Sequence, residues 1–129
     1  MNPVNDDDIR AAELDAAFRA AFPPKPGAMA EQDLRVAICA ECERLGLRLY
    51  EVPRPAAGGV RGTGRGWPDL VIAGKGGVLF RECKNRYNDT RPEQDMWGWY
   101  LRKAGCDWAV WRPADWDSGR ICAELEAIR

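Results

Sequence analysis

The sequence predicts an α/β domain over residues 30–129, behind a helical extension over residues 1–29. Three observations carry this expectation. Residues 30–45 and 119–128 place apolar side chains at helical spacing, and Pro92 opens a third helix between them. Short β-rich runs at 47–52, 69–73, 78–84 and 108–111 are separated by glycine- and proline-bearing turns. A chain of 129 residues, 46% hydrophobic, holds enough apolar surface for one core and is not a disordered tail.

In chain order, Asp6 to Phe22 reads as a helix with acids in its first turn, where the helix dipole favours them. Ile9, Leu14, Phe18 and Phe22 form a loose stripe, and Pro23-Pro24-Lys25-Pro26-Gly27 ends it as a stiff linker. Residues 30–45 form a second helix, with Leu34, Ile38 and Leu45 inward and Gly46 as its stop. Glu31 lies at the N-terminal edge of that buried face and Glu41 nearer its middle. An acid there is paired, metal-bound, or at an edge reaching solvent. Leu47 to Val52 is a strand. Pro53 to Trp67 is a long loop rich in Gly and Arg, including Arg54, Arg61 and Arg65. It lacks the Gly-Lys-Ser/Thr ending of a nucleotide-triphosphate loop, and a strand rather than a helix follows it.

Asp69 to Ala73 and Val78 to Lys84 are expected to form a hairpin about Gly74-Lys75-Gly76-Gly77. The run Leu70-Val71-Ile72 suits a strand covered on both faces. In the second strand Val78, Phe80, Glu82 and Lys84 share one face, and Leu79, Arg81 and Cys83 the other, so Cys83 reads as packing. The Pro92 helix runs to about Ala104, before Gly105, with Gln94 and Trp97 one turn apart. Trp108 to Trp111 is a strand closed by Pro113, and Gly119 to Ile128 a last helix with Ile121, Leu125 and Ile128 inward.

Composition narrows the chemistry. There is no histidine, which removes Ser/His and Cys/His nucleophile pairs and His-based zinc sites. The five cysteines, with no secretion signal at the N-terminus, point to reduced thiols and a cytoplasmic protein. Cys39 and Cys42 have CxxC spacing but lie inside a helical pattern without a second pair, so packing is expected of them. No apolar run approaches the roughly 18 residues of a membrane span. The net charge of −1 conceals an asymmetry: residues 54–91 hold 8 bases and 3 acids. Two of those three acids are Asp69 and Glu82.

If the hairpin turns about the middle of its glycine turn, Asp69 falls opposite Glu82. Carboxylates so placed have Cβ atoms about 4.5–5.5 Å apart and repel. A proton or a cation must offset that repulsion. Lys84, two residues after Glu82, is expected on the same face. Two acids and a lysine inside a basic block suit a metal ion and a polyanionic substrate. Arg61, Arg65, Lys75, Arg86 and Arg91 are the candidate nucleic-acid contacts. Trp67 is the tryptophan best placed for base stacking.

Pro68-Asp69 followed by Glu82-Cys83-Lys84 resembles the PD-(D/E)XK nuclease signature. Gly66-Trp67-Pro68-Asp69-Leu70-Val71, Leu79-Phe80-Arg81-Glu82-Cys83-Lys84, Thr90-Arg91-Pro92-Glu93-Gln94-Asp95-Met96-Trp97, Gly105 and Val110-Trp111-Arg112-Pro113 resemble its VRR-NUC branch, particularly small phage and bacterial members. The resemblance spans about residues 31–117. It implies a restriction-endonuclease-like αβββαβ core with a mixed central sheet flanked by helices, and a Mg2+- or Mn2+-dependent endodeoxyribonuclease. It implies Asp69, Glu82, Lys84 and Glu31 as the active centre, Gln94 as an accessory residue, and Asp69, Glu82, Glu31 and the Cys83 backbone carbonyl as metal ligands. Glu31 matches the branch's helix glutamate better than Glu41. The role of Glu51 stays open. Small stand-alone members are similar to Holliday-junction resolvases, so the resemblance implies a homodimer acting on Holliday junctions or other branched DNA. A catalytically silent nucleic-acid-binding module on the same fold is the alternative. A protein-interaction scaffold would rest on the tryptophans and the N-terminal helix, and would explain neither the acid pair nor the basic block.

Overall fold

The computed structural model describes residues 29–53 and 65–129, with Arg10, Glu13 and Leu14. Most of the expected helix over Asp6 to Phe22, the proline linker and residues 54–64, Arg61 among them, lie outside the described residues.

Helix α1 (Glu31–Leu45) forms where Leu34, Ile38 and Leu45 set the stripe, and Cys42 joins them in the core. Gly46 ends it in the left-handed conformation at φ 71°, which glycine adopts without a Cβ penalty. Three strands follow: β1 (Arg48–Glu51), β2 (Leu70–Gly74) and β3 (Gly77–Cys83). Helix α2 (Pro92–Lys103) begins with proline in its first turn, and β4 (Asp107–Trp111) succeeds it. Pro113 does more than close β4. It opens a short helix, α3 (Pro113–Asp117), whose Asp115 accepts from the Arg112 backbone N–H. Helix α4 (Arg120–Ala127) completes the chain, with Ile121 and Leu125 buried and Ile128 just beyond it also buried.

The strands make one mixed sheet in the order β1-β2-β3-β4. The first two pairings are antiparallel and β3 pairs parallel with β4. The architecture is thus α/β, with a four-stranded mixed sheet flanked by helices.

The two faces differ. Leu49, Leu70, Ile72, Leu79, Cys83 and Trp111 pack with α1, α4 and Ile128 into the main core. On the other face the register aligns Tyr50, Val71, Phe80 and Trp108. There α2 lies over β4, while Tyr50 and Val78 stay exposed. Val71 is accordingly half-buried, so the run Leu70-Val71-Ile72 is fully covered on the core side only.

Arg81, on the core side, is buried to 1% exposure. Its guanidinium pairs with Asp107 (2.9 Å) and Glu124 (2.7 Å) and lies over the Trp111 ring. This ties α4 to the β3–β4 half of the sheet.

Candidate active site

The hairpin register decides where the acids go. Gly74 pairs with Gly77 and Leu70 with Arg81, so the turn is centred between Lys75 and Gly76. One step past Leu70, the same register sets Asp69 against Glu82. Asp69 itself precedes β2, in a bend, and its carbonyl accepts from the Val52 N–H (2.8 Å). Its carboxylate oxygen Oδ2 accepts from the Cys83 N–H across the hairpin (2.9 Å). Glu82 is still within β3 and only 1% exposed.

Glu82 is held from α2. Gln94, in the first turn of that helix, donates from Nε2 to Glu82 Oε1 (2.8 Å). Gln94 Oε1 accepts from the Arg91 N–H (2.8 Å) at the helix start. The backbone donor fixes which end of the amide faces inward, so the capping interaction presents an N–H to the acid.

The other oxygen, Glu82 Oε2, is buried without a hydrogen-bond partner. The Glu82 carboxyl lies against the Asp69 carboxylate, which can only accept unless one of the two acids carries a proton. Burial first, then contact with Asp69 and its charge, hold the Glu82 carboxyl well above the ordinary carboxylate range. Lys84 and Arg35 pull it back only in part. In the absence of another cation, burial and the Asp69 charge favour the protonated form of Glu82.

Lys84 follows the last residue of β3 rather than lying on it, and its N–H donates to the Trp111 carbonyl (3.0 Å). It is 9% exposed and forms no ion pair with another described residue. The cation that touches Asp69 is Arg35, which the sequence reading did not single out. Its guanidinium lies 2.9 Å from Asp69 Oδ1, 3.0 Å from Glu31 Oε1 and 3.0 Å from Glu51 Oε1. Burial alone would lower the Arg35 pKa; Asp69, Glu51 and Glu31 more than reverse that. The signal was in the sequence. Arg35 adjoins Leu34 on the buried stripe and stands four residues after Glu31, the spacing of a helical ion pair.

Glu31 therefore reaches the acid end of the sheet through Arg35. Glu41 does not: it is occupied by Arg44. Cys83 points its side chain into the core, as expected for packing. Cys42 is buried, which pushes its thiol up to about 12, and Cys39 is half-buried.

The candidate nucleic-acid residues separate. Arg65 is exposed beside Gly66, and a Cβ on Gly66 would lie 2.4 Å from the Glu93 backbone, so this segment is pressed against the start of α2. Arg86 and Arg91 are exposed between Lys84 and Gln94. The loop bearing Arg86 is pinned by Arg112, which donates to the carbonyls of Asn85 (2.8 Å) and Asn88 (2.7 Å). Lys75 is exposed at the hairpin turn, the opposite end of β3 from Glu82, about 20 Å away at roughly 3.3 Å per residue. Trp67 is half-buried, edge-on to Trp97 (4.7 Å) and Phe80 (5.9 Å), and forms part of an aromatic cluster.

Among the described residues no group of three or more His, Cys, Asp and Glu is spaced to hold a metal ion. Asp69 and Glu82 with the unpartnered Oε2 still suit Mg2+, which commonly takes one or two carboxylates and fills its remaining positions with water and substrate oxygens. No family model, curated protein or solved structure matches the chain. Among the described residues no helix is long and apolar enough to cross a membrane.

Proposed function

We propose that the protein is a metal-dependent, structure-selective DNA endonuclease of the PD-(D/E)XK type, on a restriction-endonuclease-like core, with VRR-NUC-like motifs. The observation that carries this reading is the buried, unpartnered Glu82 Oε2 beside Asp69, within a basic segment. A buried acid pair is costly unless a proton or cation is shared. The element order αβββαβ through Trp111, and the approach of Gln94 to Glu82, support it further.

Mg2+ or Mn2+, when bound, supplies Lewis-acid stabilisation of the phosphate and an activated water. Asp69 and Glu82 would hold the ion, with the Cys83 carbonyl as a further donor. Gln94 fixes the Glu82 carboxylate in one orientation. Lys84, nearly buried, would offer its side-chain nitrogen to a phosphate oxygen as negative charge develops there. Arg65, Arg86 and Arg91 would contact flanking phosphates, with Arg61 in the same basic stretch of sequence. A homodimer acting on branched DNA is the proposed working form.

The second reading, a silent nucleic-acid-binding module, is favoured by the Arg35 guanidinium on Asp69, which already neutralises part of the site. One assay separates the two. The full chain is incubated with a four-way junction, a flap and linear duplex, in Mg2+ and in EDTA, alongside Asp69→Asn and Lys84→Ala. The enzyme reading predicts metal-dependent cutting of branched DNA that both substitutions reduce by about 100-fold or more. Binding without cutting in Mg2+, and again when Mn2+ replaces it, would leave the silent module.

A further inference from the structure

We propose that Arg35 is a positioning residue that serves as the built-in counter-cation of the acid cluster, so that a divalent ion must compete with it for Asp69. This rests on the metal-site reading above. Three carboxylates from three elements converge on one guanidinium: Glu31 from α1, Glu51 from β1, and Asp69 from the bend before β2. Arg35 is 7% exposed, so its charge is little screened by water.

The sharing is specific in its atoms. Nη1 serves Glu51, while Nη2 is divided between Glu31 and Asp69. Asp69 is thereby held at both oxygens, Oδ1 by Arg35 and Oδ2 by the Cys83 N–H. Arg35 thus orients the carboxylate and opposes a second cation beside it. Glu51 draws part of that charge away from Asp69. Its side chain is 44% exposed, so it can be altered with little effect on packing.

Two effects of Arg35 have opposite signs, and this makes the inference testable. A residue that only supports the fold would weaken metal binding when replaced. A competing cation, when neutralised, strengthens it. Mn2+ affinity is measured by titration calorimetry on the full chain, without DNA, for wild type, Arg35→Gln, Arg35→Lys, Glu51→Gln and Asp69→Asn. Thermal melts check that each variant folds. The expected results are tightening by about tenfold in Arg35→Gln, near wild-type affinity in Arg35→Lys, and weakening by a few-fold in Glu51→Gln, where Arg35 is released toward Asp69.

Loss of Mn2+ binding in Asp69→Asn together with unchanged or weakened binding in Arg35→Gln would overturn the role of Arg35 while leaving the metal site intact. Should Arg35→Gln fail to fold, Glu51→Gln decides, and unchanged affinity there would overturn the proposal. Binding in no variant, or binding indifferent to Asp69→Asn, would remove the metal-site reading itself.

Discussion

At the scale of single residues, Glu82 sets the terms. It is a carboxyl with one satisfied oxygen and one that needs a proton or a cation. Its raised pKa has a consequence for stability. Above the ordinary carboxyl range the unfolded chain has released this proton and the folded chain still holds it. The folded state then binds more protons, so stability falls as pH rises. The stabilising contribution is whole below the unfolded pKa and lost through the folded one. Metal-free wild type should lose melting temperature between about pH 5 and about pH 8 relative to Glu82→Gln, whose side chain does not titrate. Melts in EDTA across that range test this, and parallel curves for the two proteins would contradict it. The placing of Asp69 opposite Glu82 was legible in the sequence because turn symmetry is a local rule, whereas Gln94 entered only through the family resemblance. Arg35 is a different case: its partner Glu31 is one helical turn away, whereas Asp69 and Glu51 reach it only through tertiary packing.

At the scale of elements, the site depends on how α2 lies on the sheet. Gly98 faces the Trp108 indole, and a Cβ there would lie 2.8 Å from three ring atoms. The helix that brings Gln94 to Glu82 is therefore seated by a bare backbone on an aromatic ring. Arg102, over the same ring at 5.0 Å, holds its flank and donates to the Trp108 carbonyl. Gly98→Ala should cost about 1–3 kcal/mol through overpacking and loosen the Gln94–Glu82 contact. Urea denaturation reads the first effect. An unchanged midpoint would mean that the helix has room that this geometry denies it. The glycine turn holds a similar lesson. Its register was legible from turn symmetry, but its packing was not: the Gly76 N–H donates to the Ile128 carbonyl (3.0 Å), and a Cβ on Gly74 would meet that same oxygen. The glycines thus serve both the turn and the docking of the C-terminus. The short helix α3 was missed because Pro113 reads equally as a strand stop and as a helix start.

For the whole molecule, polarity is distributed by end and by face. The core side is sealed by α1, α4 and the buried Arg81 network. The acid cluster sits where β1 and β3 end and β2 begins, with Arg65, Arg86 and Arg91 nearby in sequence and Lys75 at the far end. The basic block read from the sequence is therefore split in space, because a hairpin sends its turn away from its open end. Apart from α3, the order of the described elements and the inward residues of α1 and α4 were legible, since periodicity and glycine or proline stops act within one element. The division of the sheet into a fully covered face and a half-covered one depends on how helices pack, which no single segment records. A cation site between Asp69 and Glu82 would appear as anomalous difference density in crystals of the full chain grown with Mn2+. The expected result is a peak between the Asp69 and Glu82 carboxylates, at distances of about 2.0–2.2 Å. Crystals with no peak there at saturating Mn2+, and with Arg35 still on Asp69, would contradict it.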